Sequence, residues 1–192
     1  MKKLILLITA IAICHTIILS QPCLPEGISF TTQTQIDSFQ INYPVCSEIE
    51  GDVTISGNDI TNLSGLSILT SIIGDLIIKD NDSLVSLTEL DNLTSIGGDL
   101  WIEENNSLIS LSGLNNVTSI SGSILIGGND SGNPLLTNLT GLEGLTSIVG
   151  DLWIWENPKL NSLTGIEGVT AVGGLLDISW NDSLTSLTGL EG

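Results

Sequence analysis

The stretch that decides the fold recurs along the chain: residues 97–120 read GGDLWIEENNSLISLSGLNNVTSI. Residues 73–96 read IGDLIIKDNDSLVSLTELDNLTSI, and residues 149–172 read VGDLWIWENPKLNSLTGIEGVTAV. One glycine per copy serves as an origin, and the successive origins are 23, 24, 24, 28 and 24 residues apart: Gly51, Gly74, Gly98, Gly122, Gly150 and Gly174. A single copy of this length cannot bury its apolar face, so the repeat predicts a solenoid whose stacked coils share one core.

Each copy carries the same inner pattern. Aliphatic residues stand two and four positions after the origin, which predicts a short strand with one buried face. The strands of successive coils should then stack about 4.8 Å apart in a parallel sheet. Seven positions after the origin stands an asparagine: Asn58, Asn81, Asn105, Asn129, Asn157 and Asn181. Inward amides at a turn can bond backbone groups of neighbouring coils, so we predict a structural asparagine ladder, with a ligand-binding row as the alternative.

The pattern L-T-S-I-x-G-D-L-x-I-x-x-N-x-x-L-x-x-L-x-G-L resembles the receptor L-domain class of leucine-rich-repeat-like solenoids, and is especially similar to its secreted bacterial versions. The resemblance covers residues 46–192. The spacing between the asparagine and the next leucine departs from the ordinary leucine-rich repeat, which favours a right-handed, single-stranded parallel β-helix of about six coils over a helix-backed horseshoe. The resemblance implies ligand binding or adhesion at a cell surface and carries over no catalytic residues.

The N-terminus predicts export. Residues 1–20 have a basic start and an apolar run, as in a secretory signal peptide. We expect residues 21–50 to form a small cap with a short helix, and residues 51–192 to form an all-β solenoid. An uncapped sixth coil leads us to expect an incomplete C-terminus and a larger parent chain. We therefore expect a secreted or cell-surface protein with no membrane insertion after signal cleavage.

Two cysteines remain after signal removal, Cys23 and Cys46. An even pair in an exported protein predicts a disulfide. A redox or metal site is the alternative, but it would need partner residues that the sequence lacks.

Charge and composition exclude several functions. After residue 20 the chain has two lysines, no arginine or histidine, and 22 acidic residues, which gives a formal net charge of −20. Nucleic acid is excluded as a partner because no basic patch can neutralise its phosphates. Triads, thiolates and the usual metal sites also lack their residues, so we predict no enzyme, no metal and no cofactor. A carboxylate-based polysaccharide-active enzyme remains a remote alternative.

The candidate ligand-binding residues are three tryptophans that the strand alternation places on one outward face: Trp101, Trp153 and Trp155. Outward aromatic clusters often mark binding surfaces, and flat rings suit sugars or partner side chains. The rings can equally pack along one another as a ladder on the sheet. Both interpretations stay open at this point.

Two further features concern ions. An acidic residue follows the origin glycine in four coils, Asp52, Asp75, Asp99 and Asp151. We expect a solvated acidic rim, with calcium bridging as the alternative. The fourth coil holds four extra residues within residues 127–134, where the composition favours a plain turn over an ion-binding loop.

The sequence thus predicts a binding or adhesion module that recognises an extracellular glycan or protein through its outward strand face. The alternative is a structural spacer in a larger surface protein, because the repeats are regular.

Overall fold

The computed structural model describes residues 22–128 and 132–190, so the predicted signal peptide lies outside the described residues. Eleven strands and one α-helix follow one another within them: β1 Ile28–Phe30, α1 Gln33–Asn42, β2 Glu48–Ile49, β3 Val53–Ile55, β4 Ser71–Ile72, β5 Leu76–Lys79, β6 Ser95–Ile96, β7 Leu100–Glu103, β8 Ser119–Ile120, β9 Ile124–Gly127, β10 Leu152–Trp155 and β11 Leu176–Ser179. No helix in this part of the chain is long and apolar enough to cross a membrane.

The strands form two parallel sheets. The larger sheet has the order β1-β3-β5-β7-β9-β10-β11, and the smaller has the order β2-β4-β6-β8. Equivalent repeat positions pair in register, for example Leu76 with Leu100 and Ile78 with Ile102. The prediction of an all-β, solenoid-like fold with stacked parallel strands is therefore confirmed.

The smaller sheet was not predicted. It is built from the residues three and two positions before the first four origin glycines, which are Glu48–Ile49 in the first coil and a Ser-Ile pair in each of the next three, such as Ser71–Ile72 and Ser95–Ile96. Only the isoleucine of each pair points into the core. A strand of two residues shows no alternation, so its sequence carries no strand signal of its own.

One continuous apolar core lies between the two sheets and the turns. In the first five coils the inward strand residues and the leucines that follow at three-residue intervals are buried, as in the third coil with Leu108, Leu111 and Leu114, each with 0% exposure. In the last coil the equivalent Leu176 is 51% exposed, because no further coil covers it within the described residues. Stacking the coils buries apolar columns that one coil would leave in water, and this burial is the main stabilising contribution.

The helix α1 packs against the first coil. Thr32 caps it: Thr32 Oγ1 accepts from the Gln35 amide, and Gln35 Oε1 accepts from the Thr32 amide at 3.2 Å. The buried face of α1 contains Ile36 and Phe39. The Gln33 side chain bonds the backbone amide of Thr61 at 2.8 Å, which ties the helix to the turn of the first coil.

Cys23 and Cys46 form a disulfide with their Cα atoms 5.8 Å apart. Cys23 also bridges to Ile49 beside the smaller sheet, and Cys46 is buried in the core. The covalent link therefore joins the two ends of the segment that carries α1.

Candidate functional site

The outward face of the larger sheet carries the predicted tryptophans. Trp101 on β7 pairs in register with Leu125 on β9, and Leu125 pairs with Trp153 on β10. We call these three residues the apolar strip. It runs across the strands, which is the direction in which the coils stack. Neighbouring strands lie about 4.8 Å apart, so the backbones of the two tryptophans lie roughly 10 Å apart.

The tryptophans of the strip are half-buried rather than fully exposed. Leu125 between them is only 5% exposed although it points outward. Trp155 lies beside Trp153 on the same strand, with ring centroids 6.1 Å apart and planes inclined by 31°. The rings therefore cover part of the sheet and also leave aromatic surface open to a ligand. The role of these three tryptophans in binding stays a prediction.

Trp180 differs from the other tryptophans. It follows β11, has a φ of 58°, and is 73% exposed. It therefore lies outside the apolar strip and offers a natural reference for experiments on the strip.

A polar row flanks the apolar strip on one side. Lys79 pairs with Glu103 across β5 and β7, and Trp155 pairs with Gly127 and Ser179 across β9, β10 and β11. We call Lys79, Glu103, Trp155 and Ser179 the polar row. Gly127 has no side chain and a φ of 120°, and a Cβ there would overlap the Trp155 carbonyl oxygen. The row is therefore interrupted at Gly127, between Glu103 and Trp155.

Two groups in the polar row are unusual. Burial raises the pKa of the Glu103 carboxyl above its ordinary value; Lys79 opposes this effect and Asp80 adds to it. The indole Nε1 of Trp155 is shielded from solvent and has no hydrogen-bond partner. An unpaired buried donor of this kind costs about 1–3 kcal/mol. Neither feature could be foreseen from residue types, because both depend on what lies next to the side chain.

The asparagine ladder spans most of the coils but differs from the predicted set at two positions. Asn105 Nδ2 donates to the Ile78 carbonyl at 2.9 Å and to Asn133 Oδ1 at 3.1 Å, and Asn105 Oδ1 accepts from Asn81 Nδ2 at 2.9 Å. Asn157 bonds Asn181 Oδ1 in the same way. These amides bond backbone and one another, so they are occupied by structural contacts.

Asn58 was wrongly assigned to the ladder. It is exposed, and the amide of Gly57 donates to Asn81 Oδ1 at 2.9 Å in the place that an asparagine takes in later coils. Those coils have a residue with positive φ before the ladder asparagine, such as Asp80 and Glu104. The first coil lacks this extra residue, which accounts for its 23-residue spacing.

In the fourth coil the buried ladder residue is Asn133. Asn133 Nδ2 bonds the Ile102 carbonyl at 2.8 Å and Asn157 Oδ1 at 3.2 Å. The predicted residue Asn129 lies outside the described residues. The inserted residues therefore precede the ladder position, so Asn133 is a structural residue and no candidate ion ligand.

The acidic row has a role that neither earlier interpretation anticipated. Asp52 Oδ1 accepts the Asp75 amide at 2.9 Å, Asp75 Oδ1 accepts the Asp99 amide at 2.7 Å, and Asp99 Oδ1 accepts the Ser123 amide at 2.6 Å. Each carboxylate thus bonds the backbone of the following coil. No group of three or more His, Cys, Asp or Glu residues in the described part of the chain is placed to hold a metal ion.

The comparison with known families agrees with this architecture. Residues 45–109 match the receptor L domain family. The predicted receptor L-domain resemblance is thereby confirmed. The matched residues run from the end of the N-terminal segment through the first coils and into the third, so they include Trp101 and the start of the asparagine ladder. No curated protein and no solved structure gives a significant match to the chain.

The receptor L domain is a family of binding domains rather than of enzymes. Its match suggests a ligand-binding extracellular module, and the disulfide between Cys23 and Cys46 fits an extracellular location. The match does not identify a ligand.

Proposed function

We propose that the protein is a secreted or cell-surface binding or adhesion module that recognises a glycan or protein ligand through the outward face of its larger sheet. The observation that carries this proposal is the apolar strip of Trp101, Leu125 and Trp153. In the first five coils the inward strand positions are occupied by core packing, and the ladder asparagines are occupied by hydrogen bonds. The outward face is where the coils place aromatic rings with no such structural hydrogen bonds.

The same proposal covers the organisation of the chain. Residues 1–20 act as the signal peptide, residues 21–50 as the disulfide-tied cap, and residues 51–192 as a right-handed solenoid of about six coils. The bonds from α1 to the first coil support the cap, because a solenoid end needs protection from edge-to-edge association.

A structural spacer is the second candidate. It is favoured by Leu125, which is 5% exposed although it points outward. This burial suggests that the neighbouring rings of Trp101 and Trp153 serve to cover the sheet, as aromatic ladders do. A carboxylate-based enzyme acting on polysaccharide remains the remote third candidate.

Binding arrays of glycans and extracellular proteins test the first candidate against the second. We expect the protein to bind at least one array target, and Trp153→Ala to reduce the signal at least tenfold with the circular dichroism spectrum unchanged. Trp180→Ala is the matched control, since Trp180 is exposed and lies outside the strip. Absence of any binding would favour the spacer, whereas binding that Trp153→Ala leaves intact would show that the binding site lies outside the apolar strip.

A further inference from the structure

The shape of the apolar strip favours a linear ligand. Trp101, Leu125 and Trp153 occupy equivalent positions on three neighbouring strands, so the strip extends along the stacking direction of the coils. Its two tryptophans are separated by roughly 10 Å of backbone spacing, with an apolar residue between them. A chain of flat units lying along the coil axis would contact both rings, whereas one small ring would reach only one of them.

The polar row supplies hydrogen-bonding groups along the same direction. Glu103 offers acceptor oxygens, Lys79 offers donors, and Ser179 offers both. A ligand unit with an apolar face and hydroxyl groups at its edge could contact the apolar strip and the polar row at the same time. Its face would stack on the strip, and its hydroxyls would donate to Glu103. Sugar rings have this combination of an apolar face and a hydroxylated edge.

Charge decides between neutral and anionic sugars. After residue 20 the chain carries a formal net charge of −20. Charge of this sign repels polyanions such as uronic-acid polymers. Size argues against a large protein partner, because a stable protein interface buries about 800 Å² on each side. The three half-buried rings of the face are a small contact by that standard.

We propose that the apolar strip and the polar row together bind a neutral, linear polysaccharide that lies along the solenoid axis. Sugar rings stack over Trp101 and Trp153, and Glu103 accepts hydrogen bonds from their hydroxyls. The unpaired Nε1 of Trp155 is consistent with this arrangement, because a turn of its indole ring would direct a free donor towards a sugar hydroxyl. This inference rests on the proposed function and deepens it by naming the ligand class and its orientation.

Affinity electrophoresis in gels containing a soluble polymer tests the inference. The probes are hydroxyethyl cellulose and laminarin as neutral polysaccharides, alginate as an anionic one, and glucose as a competing monomer. We expect retardation by at least one neutral polymer, no retardation by alginate, and no competition from glucose at millimolar concentration. We expect Trp101→Ala, Trp153→Ala and Glu103→Ala each to weaken retardation at least tenfold, and the control Trp180→Ala to leave it unchanged.

The possible failures are distinguishable. If Trp153→Ala weakens retardation but Trp101→Ala does not, the ligand occupies one ring and the linear arrangement is wrong. If Glu103→Ala has no effect, Glu103 takes no part in binding and the proposed hydrogen bonds to it are wrong. Retardation by alginate alone would overturn the choice of a neutral polymer. If no polymer retards the protein while an array protein binds in a Trp153-dependent way, this inference fails and the proposed function stands. If neither assay shows Trp153-dependent binding, both fail.

Discussion

The asparagine ladder gives the sharpest test of how the coils are held together. We expect Asn105→Ala to destabilise the protein strongly. The Asn105 amide bonds carbonyl and amide oxygens of its neighbours through both Nδ2 hydrogens, and its Oδ1 accepts from Asn81. The three contacts from Nδ2 share two hydrogens, so together with the Oδ1 contact the side chain makes the equivalent of about three hydrogen bonds, and at about 1 kcal/mol each the loss is on the order of 3 kcal/mol. The partners left behind are buried, so water cannot easily replace the lost side chain.

The matched control is Asn58→Ala, which removes the same side chain from an exposed position outside the ladder. Substitutions at such surface sites usually change stability by less than about 0.5 kcal/mol. Urea unfolding followed by circular dichroism measures both variants, and a second probe, tryptophan fluorescence, checks whether the repeat array unfolds in one step. If the two variants have the same urea midpoint, the ladder contributes nothing and the reasoning is refuted.

Three further changes test other contacts. Gly98→Ala places a Cβ onto a carboxylate oxygen of the preceding coil, so we expect the free energy of unfolding measured in urea to fall by about 1–3 kcal/mol. The control Gly128→Ala, whose Cβ meets no atom closer than 3.4 Å, should leave stability nearly unchanged, and equal losses in the two variants would contradict the overlap. Asp99→Ala removes the acceptor for the backbone amide of the next coil and should lower the free energy of unfolding by about 1 kcal/mol. Asp99→Asn keeps an acceptor oxygen and should retain most of the stability. Equal losses in the two variants would show that the charge of Asp99 matters and the hydrogen bond does not. Burial raises the pKa of Glu103, so between its ordinary value and the raised value the folded state binds more protons, and stability falls as pH rises through that window. Glu103→Gln should therefore raise the urea midpoint at neutral pH and lose this advantage in acid, and a difference that does not vary with pH would contradict the prediction.

The repeat pattern predicted the solenoid, the parallel strands and the existence of the ladder, because all three follow from periodicity. It misplaced Asn58 because positions were counted from the origin glycine. The length changes of the first and fourth coils fall between that glycine and the ladder. The ladder position lies three residues before the first leucine or isoleucine after the turn. This rule gives Gly57, three residues before Ile60, in the first coil, and Asn133, three residues before Leu136, in the fourth. The ladder hydrogen bonds depend on which residues lie next to each other in stacked coils. The first core leucine or isoleucine after the turn has a fixed place in the stack, so its position predicts the ladder residue better than the origin glycine does.

The backbone contacts of the acidic row were not predicted, for a different reason. Counting charges treats Asp75 and Asp99 as two carboxylates that repel each other, whereas the stacked coils place the backbone amide of one beside the carboxylate of the other. That contact exists only once neighbouring coils are in register, so no local pattern reveals it. It also accounts for the origin glycines. A Cβ at Gly98 would overlap Asp75 Oδ1, and a Cβ at Gly150 would overlap Ser123 Oγ, which replaces the carboxylate in the fourth coil.

The contrast between inward and outward positions bears on where function can reside. Inward positions repeat the same residue types because core packing and the asparagine ladder constrain them in almost every coil. The outward position three residues after the origin changes freely, from Thr54 through Trp101 and Leu125 to Asp177. No hydrogen bond of the coil depends on the identity of these side chains, so a coil can carry an aromatic ring there without losing a contact that holds it. Stability and recognition are therefore separable in this fold: we expect substitutions on the strip to alter binding while the urea midpoint shifts little, and substitutions in the ladder to do the reverse.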